Sequence, residues 1–144
     1  MFIYKTTVRL QDTDATGVIY FSQMQKLCLE AFEEKLKQGG FSLRSLIDSP
    51  YLLPIVHAEA DYLSALRVDE EILIYVSVSK RGTSSFTLQY ELYKEKTMEC
   101  AGKASIVHVA VFKEGFKSTP IPECLLKILE ELSMQACAAP SCPT

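Results

Sequence analysis

The first residues alternate with a period of two. Phe2, Tyr4, Thr6, Val8 and Leu10 interleave with Ile3, Lys5, Thr7, Arg9 and Gln11, and the first set is the more apolar. That pattern predicts a half-buried strand over residues 2–11. From about Val18 to Gln38 the spacing becomes helical. Met24, Leu27, Cys28, Ala31, Phe32 and Leu36 form one apolar stripe, with Lys26, Glu30, Glu33, Glu34 and Lys37 outside it. Gly39-Gly40 is a stop signal for this long helix. A short helix is expected over residues 42–48, capped by Ser42 and ended before Ser49-Pro50.

Four strand-like runs follow, at residues 52–64, 71–80, 85–95 and 100–112. The first puts Val56, Ala58, Ala60 and Tyr62 on one face and His57, Glu59 and Asp61 on the other. The next two carry Ile72, Ile74, Val76 and Val78, then Phe86, Leu88, Tyr90 and Leu92, and the last alternates through Val107, Val109 and Val111. Their connections are short and polar, which predicts an antiparallel meander. Pro120 or Pro122 opens a last helix with Leu125, Leu126, Leu129 and Leu132 on its apolar side. The pattern is α+β: one antiparallel sheet packed on a long helix, in a single domain over residues 1–135, with an aperiodic tail at 136–144 expected to be disordered.

Composition changes this picture little. A chain of 144 residues, 48% hydrophobic and 23% charged, has enough core to fold without a metal or disulfide staple. Net charge is −3 with Lys and Arg scattered, so there is no nucleic-acid footprint. No apolar run is long enough to span a membrane. Five cysteines without a C-x-x-C pair, and only two histidines, argue against a zinc site. The odd cysteine count and the absence of a signal-peptide pattern lead us to expect a cytoplasmic protein. One sheet and one long helix leave apolar surface uncovered, with Tyr75, Tyr93 and Ile106 expected on the second face. A homo-oligomer is expected on that ground.

The candidate chemistry lies in Asp12-Thr13-Asp14-Ala15-Thr16-Gly17-Val18-Ile19-Tyr20-Phe21, where two carboxylates precede the long helix. A calcium loop is excluded, because Gln23 stands at the twelfth position where a bidentate Glu belongs and a strand precedes. Asp-Thr-Asp-Ala-Thr also matches a phosphoryl-transfer loop, D-x-D-x-T. That chemistry needs a buried, continuously apolar parallel strand, whereas the strand here alternates. Acyl transfer to water fits better. A carboxylate activates water or attacks a carbonyl, while free amides at the helix start hold the oxyanion. Gly17 lets a backbone come close, and Val18, Ile19, Tyr20 and Phe21 supply an apolar wall. Asp12 is expected to order the loop. For Asp14, helix cap and catalyst both remain open on residue chemistry alone.

This stretch resembles the signature of the hotdog-fold thioesterases related to 4-hydroxybenzoyl-CoA thioesterase. Cys28-Leu29-Glu30-Ala31-Phe32-Glu33, Leu53-Pro54-Ile55-Val56-His57-Ala58, Gly102-Lys103-Ala104 and Lys117-Ser118-Thr119-Pro120-Ile121-Pro122 extend the likeness over residues 3–132. Within the family the resemblance leans toward enzymes that hydrolyse 1,4-dihydroxy-2-naphthoyl-CoA in quinone biosynthesis. It implies a five-stranded sheet wrapped around the long helix, and dimers or tetramers with sites at the interface. It also implies an acyl-CoA substrate and no cofactor or metal. Asp14 matches the family's catalytic carboxylate, and the Phe21 amide matches the group that polarises the thioester. Gly17, Val18 and Tyr20 are substrate-binding candidates in the same loop. Lys80 and Arg81 stand where a basic run grips the CoA phosphates in related members, and a solvated hairpin is the plainer account of them. His57, on the polar face of its strand, is a further pocket candidate. A broader short-acyl thioesterase and an acyl-binding subunit without turnover are the alternatives.

Overall fold

The stripe of apolar residues at helical spacing becomes the centre of the molecule. A computed structural model describes residues 1–134; the tail expected to be disordered lies outside the described residues. In chain order the elements are β1 (Phe2–Thr7), a 3-10 turn (Leu10–Asp12), α1 (Phe21–Gln38), α2 (Leu43–Asp48), β2 (Tyr51–Leu52), β3 (Ile55–Tyr62), β4 (Glu71–Arg81), β5 (Ser85–Lys94), β6 (Cys100–Val109), β7 (Val111–Phe112) and α3 (Glu123–Met134). The buried side of α1 is Met24, Leu27, Cys28, Ala31, Phe32 and Leu36, the whole of the expected stripe. Gly39 ends the helix, its N–H donating to the Lys35 carbonyl at 3.0 Å. Ser42 caps α2 by accepting from the Ser45 N–H at 3.3 Å.

Two boundaries differ from the sequence pattern, for local reasons. β1 stops at Thr7 rather than Gln11. The Asp12 carboxylate accepts from the Arg9 N–H at 2.9 Å, and the Asp12 N–H donates to the Arg9 carbonyl at 2.9 Å. This reciprocal pair winds the chain into a turn before the strand can continue. α1 starts at Phe21 rather than Val18, because the Ile19 N–H donates to Leu66 O at 2.7 Å and Val18 bridges Arg67. Those contacts hold both residues extended.

The main sheet is antiparallel, in the order β1-β4-β5-β6-β3. β4, β5 and β6 form the expected meander, but β3 departs from it. β3 pairs with β6, Tyr62 opposite Gly102 and Ala58 opposite Ile106, at the far edge from β4. Residues 63–70 span that gap: eight extended residues reach about 26 Å, and three strand spacings need about 14 Å. The crossing buries Leu66 completely.

The inner face carries Ile72, Ile74 and Val76 of β4 and Phe86, Leu88, Tyr90 and Leu92 of β5, all buried. On β6 the inner residues are Ala104, Ile106 and His108, with Ala110 buried just past its end, while Val107 and Val109 are half-buried on the outer face. Ile106 therefore opposes Leu88 under α1 and does not belong to the second face, where it was expected. Tyr75 and Tyr93 do lie on the outer face, edge to face with ring centroids 5.3 Å apart. α1 lies over β5 and β6. Met24 packs on Gly102, and the Phe32 ring is 6.1 Å from Phe86 and 5.4 Å from His108. α3 covers β4 through Leu125, Ile128, Leu129 and Leu132. Neither helix covers β3, which is exposed along its length except at half-buried Ala60.

Candidate active site

After β1 the chain makes its 3-10 turn and then folds back on itself. Thr13 bridges Ile19 antiparallel, and the Asp14 N–H donates to Val18 O at 3.0 Å. Gly17 sits at the tip with φ of 77°, a conformation that costs other residues a steric penalty. The loop is clipped to the β3–β4 crossing: Val68 N–H donates to Gly17 O at 3.0 Å, alongside the Ile19–Leu66 bond. Asp14 is thus delivered beside the start of α1 by a small hairpin fixed on both flanks.

The two aspartates occupy opposite environments. Asp12 is 1% exposed. One of its oxygens takes the Arg9 N–H, and the other takes Lys26 Nζ at 2.9 Å. It ties the turn to the second turn of α1, the structural role expected of it. Asp14 is exposed. Its Oδ1 accepts from Thr16 Oγ1 at 2.5 Å and from Thr16 N–H at 2.8 Å. Those bonds favour the ionised form and hold its carboxyl below the usual value, the hydroxyl bond contributing most. Its Oδ2 has no hydrogen-bond partner among the described residues.

The first turn of α1 begins at Phe21, with Tyr20 in the capping position and no side chain bonding the leading amides. Unsatisfied N–H groups at a helix start carry partial positive charge and suit a developing oxyanion. Beside them opens a pocket of about 290 Å³ lined by Val18, Ile19, Phe21, Tyr62, Leu63, Ser64 and Ala65. Val18 and Phe21 line it as the sequence suggested, and the Tyr20 ring lies tilted against Phe21 with centroids 4.8 Å apart. Tyr62 is a participant the sequence did not reveal. Its hydroxyl donates to the Phe21 carbonyl, locking the end of β3 onto the helix start.

His57, Lys80 and Arg81 are not in this group. His57 pairs with Val107, Val107 with Thr87, and Thr87 with Lys80, so His57 and Lys80 share one cross-strand row. That row lies at the opposite end of the sheet from Tyr62 and the Asp14 loop. His57 is exposed, its Nε2 3.9 Å from Glu59 Oε2. A bulge between Val78 and Lys80 reverses the phase of β4, so Arg81, opposite Phe86, turns to the helix side and pairs with Glu130 at 3.8 Å. One chain therefore carries the carboxylate and helix start at one end and the candidate basic residues at the other.

An antiparallel five-stranded sheet wrapped on a central helix, with a carboxylate loop at the helix N-terminus, defines a hotdog-fold protein. A solved 1,4-dihydroxy-2-naphthoyl-CoA thioesterase from Synechocystis superposes with a TM-score of 0.86 at 28% identity, covering 91% of this chain and 96% of that one. Residues 8–129 match the family model of the thioesterase-like superfamily, and the chain belongs to that family. Two curated relatives carry the name 1,4-dihydroxy-2-naphthoyl-CoA hydrolase. One, from Rippkaea orientalis, is 34% identical over 129 residues, 88% of this chain and 94% of the relative. The other, from Microcystis aeruginosa, is 36% identical over 131 residues, 90% of this chain and 94% of the relative. Among the described residues no helix is long and apolar enough to cross a membrane.

Proposed function

We propose that this protein hydrolyses an aromatic acyl-CoA thioester, 1,4-dihydroxy-2-naphthoyl-CoA, with Asp14 as the reacting carboxylate. The observation that carries the reading is the exposed Asp14 carboxylate, anchored by Thr16 in the hairpin that leads into an uncapped helix start. The names of the relatives supply the acyl group. The thioester carbonyl oxygen accepts from the amide at Phe21, which draws electron density from the carbonyl carbon. Asp14 Oδ2 then attacks that carbon, or takes a proton from the water that does. On the direct route coenzyme A leaves as the thiolate and takes a proton from water. Water then hydrolyses the Asp14–acyl anhydride, which frees the aromatic acid and restores the carboxylate. On the other route water adds to the carbonyl carbon, the proton taken by Asp14 passes to the departing thiolate, and the acid is released directly. Thr16 holds the other carboxylate oxygen and so fixes the direction of the free one.

A second copy of the chain completes the site in this reading. Two exposed β3 edges pair antiparallel about a two-fold axis normal to the sheet. The Tyr62 end of one strand then lies beside the Ile55 end of the other, and His57 and Lys80 of the partner subunit come to the end that carries Asp14. Lys80 of the partner subunit serves there as an anion grip for the CoA phosphates, while Arg81, on the other face, stays with Glu130. Asp14→Ala and Asp14→Asn, assayed on aryl and aliphatic CoA thioesters, test the chemistry. Losses of roughly 10²–10⁴-fold in kcat are expected for removal of a positioned acid–base or nucleophilic group. Wild-type turnover in both variants would refute the role of Asp14, and elution at monomer mass would refute the shared site. A single turnover in H₂¹⁸O tests direct attack: label found in the Asp14 carboxylate demonstrates it, because the general-base route never places a water oxygen on the enzyme.

A further inference from the structure

Tyr90 sits at the middle of β5 on the inner face, wholly buried, and its hydroxyl has no hydrogen-bond partner. A buried, unpaired hydroxyl is an unusual expense in a core and calls for a reason. Its neighbours suggest one. The cross-strand row through Tyr90 continues to Ala104 on β6 and Ala60 on β3, all on the helix side. The row from Tyr90 to the open edge therefore carries only alanine side chains. Each adjoining row has one small member, Gly102 opposite Tyr62 and Ala58 opposite Ile106. α1 runs over β5 and β6 and leaves the β3 side of this row uncovered, with Ala60 half-buried and Ala58 exposed. Burial, with a smaller contribution from Cys28, pushes the phenols of Tyr90 and Tyr62 above their usual pKa. Cys28 is buried on the second turn of α1, and Tyr62, one row beyond Ala60 on β3, is bonded to Phe21.

We infer that the Tyr90 hydroxyl is the polar end of the acyl pocket and recognises a ring hydroxyl of the aromatic acyl group. This rests on the thioesterase reading above. A carbonyl held at the Phe21 amide points its ring along α1 toward Cys28, which lies seven residues further on, roughly 10 Å along the axis. That span accommodates a bicyclic aromatic. In the free chain the hydroxyl is closed off, and a flexible side chain gives way as the ring enters. Met24 fits that part, because it is unbranched and rests on Gly102, with no β-carbon beneath it. A hydroxylated ring then supplies the partner that Tyr90 lacks.

The test is Tyr90→Phe, assayed on 1,4-dihydroxy-2-naphthoyl-CoA and on 2-naphthoyl-CoA, which has no ring hydroxyl. A site built around a hydrogen bond discriminates strongly against a partner that cannot make it. The expected result is a fall of about 10- to 100-fold in kcat/KM on the hydroxylated substrate and less than about twofold on the other. The melting temperature should be unchanged or higher, since the lost hydroxyl had no partner. Equal losses on both substrates, no loss on either, or a lowered melting temperature would overturn the role of Tyr90 and leave the thioesterase reading intact. Wild-type enzyme that turns over neither substrate would overturn both.

Discussion

Asp12 and Asp14 stand two residues apart, and their removal should have separable consequences. Asp12→Ala deletes a buried carboxylate that accepts from Arg9 N–H and Lys26 Nζ, both at 2.9 Å. Breaking a fully buried ion pair costs about 3–5 kcal/mol. Here Lys26 is 47% exposed and is rehydrated when its partner goes. The cost that remains is the charge-assisted bond and the orphaned Arg9 amide, about 2–3 kcal/mol together. For a chain of 144 residues each kcal/mol moves the melting temperature by about 3–4 °C, so a fall of roughly 6–12 °C is expected. Asp12→Asn keeps an acceptor for Arg9 and loses the charge opposite Lys26, and should cost about half as much. Asp14→Ala removes an exposed group bonded only to Thr16, and should leave the melting temperature within about 2 °C. Thermal unfolding at one fixed protein concentration, beside turnover at 20 °C, reads both axes. An Asp12→Ala protein as stable as wild type would refute the view that this carboxylate ties the turn to α1. So would an Asp14→Ala protein destabilised as much as Asp12→Ala.

Two pH dependences follow from the same side chains. The Thr16 hydroxyl bond is the main reason the Asp14 carboxyl lies below its ordinary 3.8, so the acid limb of kcat/KM due to Asp14 should fall below pH 4 in wild type. Thr16→Val should move that limb upward, and a pH–rate profile that does not shift would contradict the assignment. His108 is 4% exposed between Phe32 and Phe86, and burial pushes its imidazole below 6.5 against the raising effect of its bond to Leu53 O. A base whose pKa is lower folded than unfolded is stabilising when neutral. Its contribution is therefore complete above about pH 6.5 and is lost as pH falls through that value toward the folded pKa. Urea unfolding between pH 7.5 and 5 should show that decline in wild type and a smaller one in His108→Gln.

The sequence made legible what depends on period and on local chemistry. The buried stripe of α1, the Ser42 cap and the alternating faces of β4 and β5 follow from side-chain spacing alone. So does the position of the carboxylate loop, because a strand, a short polar turn with glycine and an amphipathic helix are each local. The neighbour of β3 was not legible. Alternation assigns a face to His57 and Ala58, but it does not say which strand lies beside them. The face of β6 was obscured by composition: Val107 and Val109 are more hydrophobic than Ala104 and His108, yet register with Leu88 put Ile106 under the helix. The bulge after Val78 turned Lys80 outward and Arg81 inward, and no residue type there announces it. The bond from Tyr62 to the Phe21 carbonyl joins positions 41 apart, beyond any local pattern.

The packing along α1 is uneven in a way that bears on where a ligand goes. Toward its C-terminal half the helix meets rings: Phe32 against Phe86 and His108, with Phe86 and His108 stacked 5.1 Å apart. Toward its N-terminus it meets Gly102, Ala104 and, past them, Ala60 and Ala58 on a strand that no helix covers. Glycine and alanine are poor strand formers and bury little surface, so this end gives up stability that larger residues would supply. The same end carries the unpaired Tyr90 hydroxyl and an uncapped helix start. Each feature alone is a modest local cost, and the small residues, the unpaired hydroxyl and the uncapped start all fall along the N-terminal half of α1. Filling the space refutes or supports this directly. Ala60→Leu adds apolar surface at a half-buried position, so it should maintain or raise stability while obstructing bulky aromatic substrates more than small acyl groups. A variant that loses stability, or that turns over every substrate as wild type does, would show that the small residues there serve packing alone.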